Sequence, residues 1–109
     1  MAAHDGAALE LAGLHLTVDH TPGHTPGSVV FRVGDAETGS AHAFTGDTLF
    51  KGAIGRSDLL GGSGRELLTS IVTKLLVLDD ATVVLPGHGE RSTIGLERRT
   101  NPFLEGLTL

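Results

Sequence analysis

The sequence predicts an α/β fold in the order β-hairpin, β, β, α, β, short α, and three features carry that reading. Apolar and polar residues alternate between Leu9 and Val18, a helical stripe follows a capping signal at Ser63, and stiff glycine- and proline-rich turns close the other apolar runs. Alternation at period two sends side chains to opposite faces of a strand, whereas recurrence at three and four residues covers one side of a helix.

In "AALELAGLHLTVDH" (7–20), Leu9, Leu11, Leu14, Leu16 and Val18 keep the alternation, and the break at Gly13 predicts a hairpin turn. "SVVFRV" (28–33) is a β-branched strand, "GDAETGS" a polar turn, and "AHAF" (41–44) a strand that ends at Thr45-Gly46-Asp47. A long Gly-rich loop, "FKGAIGRSDLLGGS" (50–63), is expected next. Ser63-Gly64-Arg65-Glu66 then fits a capping box, in which hydroxyl and carboxylate satisfy the free N–H groups at a helix start. Leu67, Leu68, Ile71, Val72, Leu75 and Leu76 form one apolar stripe, which is core. "ATVVL" (81–85) reads as a short buried strand, and "STIGLERR" (92–99) as a short last helix stopped near Asn101-Pro102.

A chain of 109 residues is at most one small domain. Its 13 acidic residues against 8 basic ones, with no Lys/Arg cluster, leave no footprint for a phosphate backbone, so a nucleic-acid partner is not expected. The absence of Cys excludes disulfides and thiolate metal ligands. The opening "MAAHDGAALE" has neither the basic nor the apolar region of a signal peptide. No apolar run approaches the roughly 18–20 residues of a membrane span, so the expected setting is the cytoplasm, without a membrane partner.

"TPGHTPGS" (21–28) places His24 between two Pro-Gly pairs, and Pro86-Gly87-His88-Gly89 repeats the device. Proline fixes φ and glycine reaches conformations that other residues avoid, so both histidines stand on stiff, sharply turned loops. His24, Asp47 and His88 each come just after a predicted strand, where rigid scaffolds present functional groups. Neutral imidazole and carboxylate are N/O ligands that suit zinc, and three of them hold at most one ion, with water as the fourth ligand. Each residue alone has an ordinary alternative: a histidine in a turn as a hydrogen-bonding surface residue, Asp47 as a turn cap.

The motifs "HTPGHTPGS" (20–28), "FTGDTLF" (44–50), "GRSDLLGGS" (55–63), "VLPGHGERSTI" (84–94) and "ERRTNPFL" (97–104) occur in one order along the chain. With them, the chain resembles the C-terminal half of a metallo-β-lactamase-fold hydrolase, nearest to the glyoxalase II-like (hydroxyacylglutathione hydrolase-like) branch. The resemblance implies an αββα sandwich, two packed sheets with helices outside, of which this chain is one partial domain, 1–109. It also implies that His24 is a ligand of a first metal, that Asp47 bridges two metals and orients the nucleophile, and that His88 is a ligand of the second. Arg56, in "GRSD", matches a basic residue beside the pocket that meets an anionic part of the substrate; its ordinary alternative is an ion pair with Asp58 or Glu66. Zinc is the implied metal, two ions in a complete site, with iron or manganese as alternatives. The implied reaction is hydrolysis of a small thioester or other acyl substrate by water that the metals activate. A single-iron persulfide dioxygenase and an inactive fragment acting as a binding module are the other readings.

The family's His-x-His-x-Asp-His segment, which supplies four further ligands, is absent from this sequence. His15-Leu16-Thr17-Val18-Asp19-His20 imitates it with Thr17 in place of the second histidine. Strand alternation turns His15, Thr17 and Asp19 to one face and Val18 and His20 to the other, so the likeness reads as coincidence. Half of a sandwich leaves an apolar sheet face without its partner. Several hundred Å² left wet forgoes on the order of 10 kcal/mol, so self-association or completion by an N-terminal half is expected.

Overall fold

The computed structural model describes residues 7–11, 13–35, 39–56 and 62–105. The alternating segment forms the expected hairpin: β1 (Ala8–Leu11) and β2 (Leu14–His20) pair antiparallel, Leu9 opposite Leu16, around Gly13. The β-branched run becomes β3 (Val29–Asp35), and "AHAF" lengthens into β4 (Ala41–Gly46), each antiparallel to its predecessor. Of the polar turn between them, residues 36–38 lie outside the described residues.

The expected loop of 50–63 carries structure of its own. Leu49, Phe50, Ala53 and Ile54 flank Lys51-Gly52 and form a two-stranded hairpin, β5 (Leu49–Phe50) and β6 (Ala53–Ile54). Two short apolar pairs around a two-residue turn are too brief to show a period, but full burial of Leu49 anchors them. Residues 57–61, Asp58 among them, lie outside the described residues.

The capping signal at Ser63 opens α1 (Gly64–Ser70), and the stripe continues through a π-helical turn, Ile71–Leu75. There the Leu76 N–H donates to the Ile71 carbonyl at 2.9 Å, five residues back, a widening that keeps Ile71, Leu75 and Leu76 all buried. Only half of the capping box forms. The Ser63 hydroxyl accepts from the Glu66 N–H at 3.2 Å, but the Ser63 N–H donates to the Gly23 carbonyl at 2.7 Å rather than to Glu66. The cap is therefore shared with the histidine-bearing loop.

Strand β7 (Val83–Pro86) lies parallel to β4, and β8 (Ser92–Thr93) lies antiparallel to β7, giving the sheet order β1-β2-β3-β4-β7-β8. "STIGLERR" thus divides. Ser92 and Thr93 stay in register with Val84 and Val83, and α2 (Ile94–Thr100) begins only after Thr93, whose hydroxyl accepts from the Leu96 N–H at 3.1 Å. Asn101 ends the helix as expected.

One face of the sheet, through Val30, Ala43 and Val84, packs on Leu67, Ile71, Leu75 and Ile94, all fully buried. By register the other face runs Leu9, Leu16, Val33 and, one row on, Val18, Phe31, Phe44, Leu85. Leu9, Leu14, Phe31 and Phe44 there are 58%, 41%, 38% and 45% exposed, so this apolar face stands partly open. No helix among the described residues is long and apolar enough to cross a membrane.

Candidate functional site

Three loops build the site, and each is tied down before its functional side chain is presented. In the loop after β2, the Thr21 N–H donates to the Ser28 carbonyl at 2.8 Å, and a His20 ring nitrogen bonds the Pro26 carbonyl at 2.7 Å. The Ser70 hydroxyl donates to the Pro22 carbonyl at 2.7 Å, clamping the loop to α1 beside the Ser63 contact. Gly23 is required: its φ is +143°, and a Cβ there would fall 2.2 Å from the Leu67 Cα. The first Pro-Gly pair thus lays the loop backbone-to-backbone on α1 at Gly23.

Asp47 follows β4 directly. The next turn is closed by the Thr48 N–H donating to the Thr45 carbonyl at 2.9 Å and the Thr45 hydroxyl donating to the Leu49 carbonyl at 2.7 Å. The Thr21 and Thr48 hydroxyls meet at 3.4 Å in the interior and join the first loop to the second. The Gly87 N–H donates to the Gly46 carbonyl at 2.9 Å and joins the second to the third. Because β4 and β7 run parallel, both send their loops off the same end of the sheet, Asp47 from one and His88 from the other.

The structure brings the three together. His24 Nε2 stands 3.6 Å from Asp47 Oδ2, and His88 Nδ1 stands 3.7 Å from Asp47 Oδ1. Two ligand atoms each about 2.0–2.1 Å from one tetrahedral ion stand roughly 3.3–3.4 Å apart. Both separations are within a few tenths of an ångström of that span. The donors are not gathered around a single point: among the described residues no three His, Asp or Glu groups enclose one ion. Instead the carboxylate turns one oxygen toward each imidazole, so the three groups do not form the single three-ligand site that the residues alone suggest.

Hydrogen bonding fixes the chemistry at His24. Its Nδ1 lies 2.8 Å from the Arg56 carbonyl oxygen, which only accepts, so Nδ1 carries the proton. In the neutral ring Nε2 is then a bare lone pair facing a carboxylate oxygen. An imidazole nitrogen and a carboxylate oxygen so placed are N/O donors of the kind that could hold a metal ion.

An open cleft of about 330 Å³ is lined by His24, Asp47, Phe50, Gly55, Arg56 and His88. All four residues singled out in the sequence therefore border one space. Arg56 serves it through its backbone carbonyl as well as its position. Phe50 and Gly55 were not singled out. The Phe50 ring lies against His88, centroids 4.7 Å apart and planes inclined by 42°. Gly55 passes so close to Asp47 that a Cβ would fall 1.9 Å from the Asp47 carbonyl oxygen. At the rim, Lys51 Nζ donates to Glu90 Oε2 at 2.8 Å. That hydrogen bond and the lysine's charge hold the Glu90 carboxyl below its ordinary value and, reciprocally, raise Lys51. The imitation segment 15–20 lies along β2, with Asp19 paired to Arg32, and none of its residues lines the cleft.

Residues 3–88 match the Metallo-beta-lactamase superfamily. The chain belongs to that superfamily. The Mycobacterium tuberculosis (strain H37Rv) uncharacterized protein Rv2581c is 67% identical over 105 residues, covering 95% of this chain and 47% of that protein. Hydroxyacylglutathione hydrolase GloC of Haemophilus influenzae is 47% identical over 100 residues, 92% of this chain and 45% of that one. Among solved structures of the metallo-beta-lactamase fold, ETHE1 from Myxococcus xanthus superposes with a TM-score of 0.84 at 33% identity, covering 97% of this chain and 46% of that one. TTHA1623 in a di-iron-bound form gives 0.75 at 44% identity, covering 94% and 47%. The chain thus spans about half the length of the curated relatives it matches.

Proposed function

We propose that the chain is the C-terminal half of a metal-dependent hydrolase of thioester or other acyl substrates, with His24, Asp47 and His88 as metal ligands. One observation carries the reading: Asp47 turns its two oxygens to two histidines that arrive from two different loops. That division favours two ions, zinc in the first instance, with Asp47 between them, over a single iron. The likeness to a hydroxyacylglutathione hydrolase supports the acyl substrate class. The remaining donors belong to an N-terminal half whose sheet covers the open apolar face, and a cytoplasmic setting goes with this reading.

When bound, such ions supply Lewis acidity and lower the pKa of water toward neutrality. The residues of this chain do the rest. The Arg56 carbonyl holds the His24 ring with Nε2 toward Asp47, where it would be free to hold a metal ion. Phe50 gives the cleft an apolar wall, and Arg56 also lines it, the residue that would meet an anionic part of a small substrate.

Zinc titration by calorimetry, on the chain completed with its N-terminal half and on the same protein carrying His24→Ala, tests the ligand assignment. Loss of zinc affinity beyond the roughly 10–100-fold that a partner behind the ligands costs is the expected result. An unaltered chain that binds no zinc, or a variant that binds as tightly, would overturn it. Thioester hydrolysis by the chain completed with its N-terminal half then tests the substrate class.

A further inference from the structure

Glu97 is fully buried, and the site as described does not use it. Its Oε1 accepts from the Gly52 N–H at 2.8 Å and from Asn101 Nδ2 at 2.9 Å, and its Oε2 accepts from the Ser92 hydroxyl at 2.5 Å. Asn101 Nδ2 also donates to the Ala53 carbonyl at 3.1 Å. Gly52 and Ala53 belong to the β5–β6 hairpin that follows Asp47, whereas Ser92 opens β8 just beyond His88. One carboxylate on α2 therefore fastens the segment after Asp47 to the segment after His88. The same hairpin carries Phe50, whose ring rests on the His88 imidazole.

We propose that Glu97 is a positioning residue for His88. By fastening the β5–β6 hairpin to α2 and β8, it sets the Phe50 ring against the imidazole and so fixes the separation of His88 from Asp47. The proposal rests on the ligand reading only for its consequence; the positioning itself is a property of the metal-free chain. Oriented ligands bind metal more tightly than mobile ones, so loosening the hairpin weakens zinc binding through His88. An alternative in which Glu97 merely satisfies buried polar groups predicts lost stability with no selective change at His88.

Imidazole proton resonances of the metal-free chain separate the two. A phenyl ring at this distance shifts the His88 signals, and Phe50→Leu defines their position without it. Glu97→Gln is expected to move the His88 signals toward the Phe50→Leu position while His15, at the far end of the sheet, stays in place. Should Glu97→Gln fail to fold, Ser92→Ala removes one of the three donors and is expected to give a smaller shift in the same direction. Folded Glu97→Gln or Ser92→Ala chains with unmoved His88 signals, or with all histidine signals moving together, would overturn the proposal. In parallel, Glu97→Gln is expected to weaken zinc binding by roughly 10-fold, and by less than 2-fold in a His88→Ala background. Equal loss in both backgrounds counts against positioning, whereas absence of zinc binding by the unaltered chain overturns the ligand reading and leaves the resonance result standing.

Discussion

Replacing Gly55 by alanine tests whether the placement of Asp47 depends on a backbone contact. The new Cβ would fall 1.9 Å from the Asp47 carbonyl oxygen and 3.5 Å from the His24 Cβ, where atoms of this kind essentially never approach within 3.0 Å. Either peptide must retreat by about 1 Å, and neither is loose. The Gly55 N–H donates to the Thr48 carbonyl at 3.0 Å, and the Thr48 N–H donates to the Thr45 carbonyl at 2.9 Å. Overpacking of this kind costs about 1–3 kcal/mol, and a lost hydrogen bond about 1 more, for about 2–4 kcal/mol in total. A retreat of that size also takes Asp47 out of its separations of 3.6 and 3.7 Å from the His24 and His88 ring nitrogens. Urea denaturation followed by circular dichroism, with zinc calorimetry beside it, reads both effects. Gly34→Ala is the control, since a Cβ at Gly34 meets nothing within 4 Å. The reasoning fails if Gly55→Ala unfolds at the same urea concentration as Gly34→Ala and binds zinc as the unaltered chain does.

The Lys51–Glu90 pair gives a pH window. Glu90 is held below its ordinary 4.5, so its contribution is present above that value and lost as pH falls through the lower folded value; Lys51 is raised above 10.5, so its contribution is present below that value and lost as pH rises through the higher one. Thermal melts of the chain and of Lys51→Met are therefore expected to differ slightly between about pH 5 and 10 and to converge in strong acid, with the difference shrinking in salt; a difference that persists below pH 2 would refute the assignment. On the open sheet face, Phe44→Ser is expected to weaken self-association in sedimentation velocity while leaving the urea midpoint nearly unchanged. A loss of about 3 kcal/mol or more would instead mark Phe44 as core.

The strands and the main helix were legible because each covers a long enough run to show its period: Leu9 to Val18 for the hairpin, Leu67 to Leu76 for the helical stripe. The β5–β6 hairpin escaped because two residues a side cannot display alternation, and its stability comes from Leu49 in the core and from Glu97 far along the chain. The second arm of the capping box failed for a comparable reason, since the Ser63 N–H found a partner in Gly23 that no local pattern reveals. Of the residues that line the cleft, His24, Asp47 and His88 were singled out by turn chemistry, and Arg56 by the resemblance that motif order carries. Phe50 and Gly55 lay inside a quoted motif or next to one, but their roles arise from closeness in space. The division of Asp47 between two imidazoles depends on side-chain direction, which a sequence does not carry.

The parallel pairing of β4 with β7 reaches beyond the geometry of the donors. Two strands aligned in this way deliver Asp47 and His88 to one rim whatever length of polypeptide connects them. The connecting stretch can lengthen, shorten or change its lining without retuning the pair. A chain built on this frame can change what it recognises while Asp47 and His88 stay at one rim.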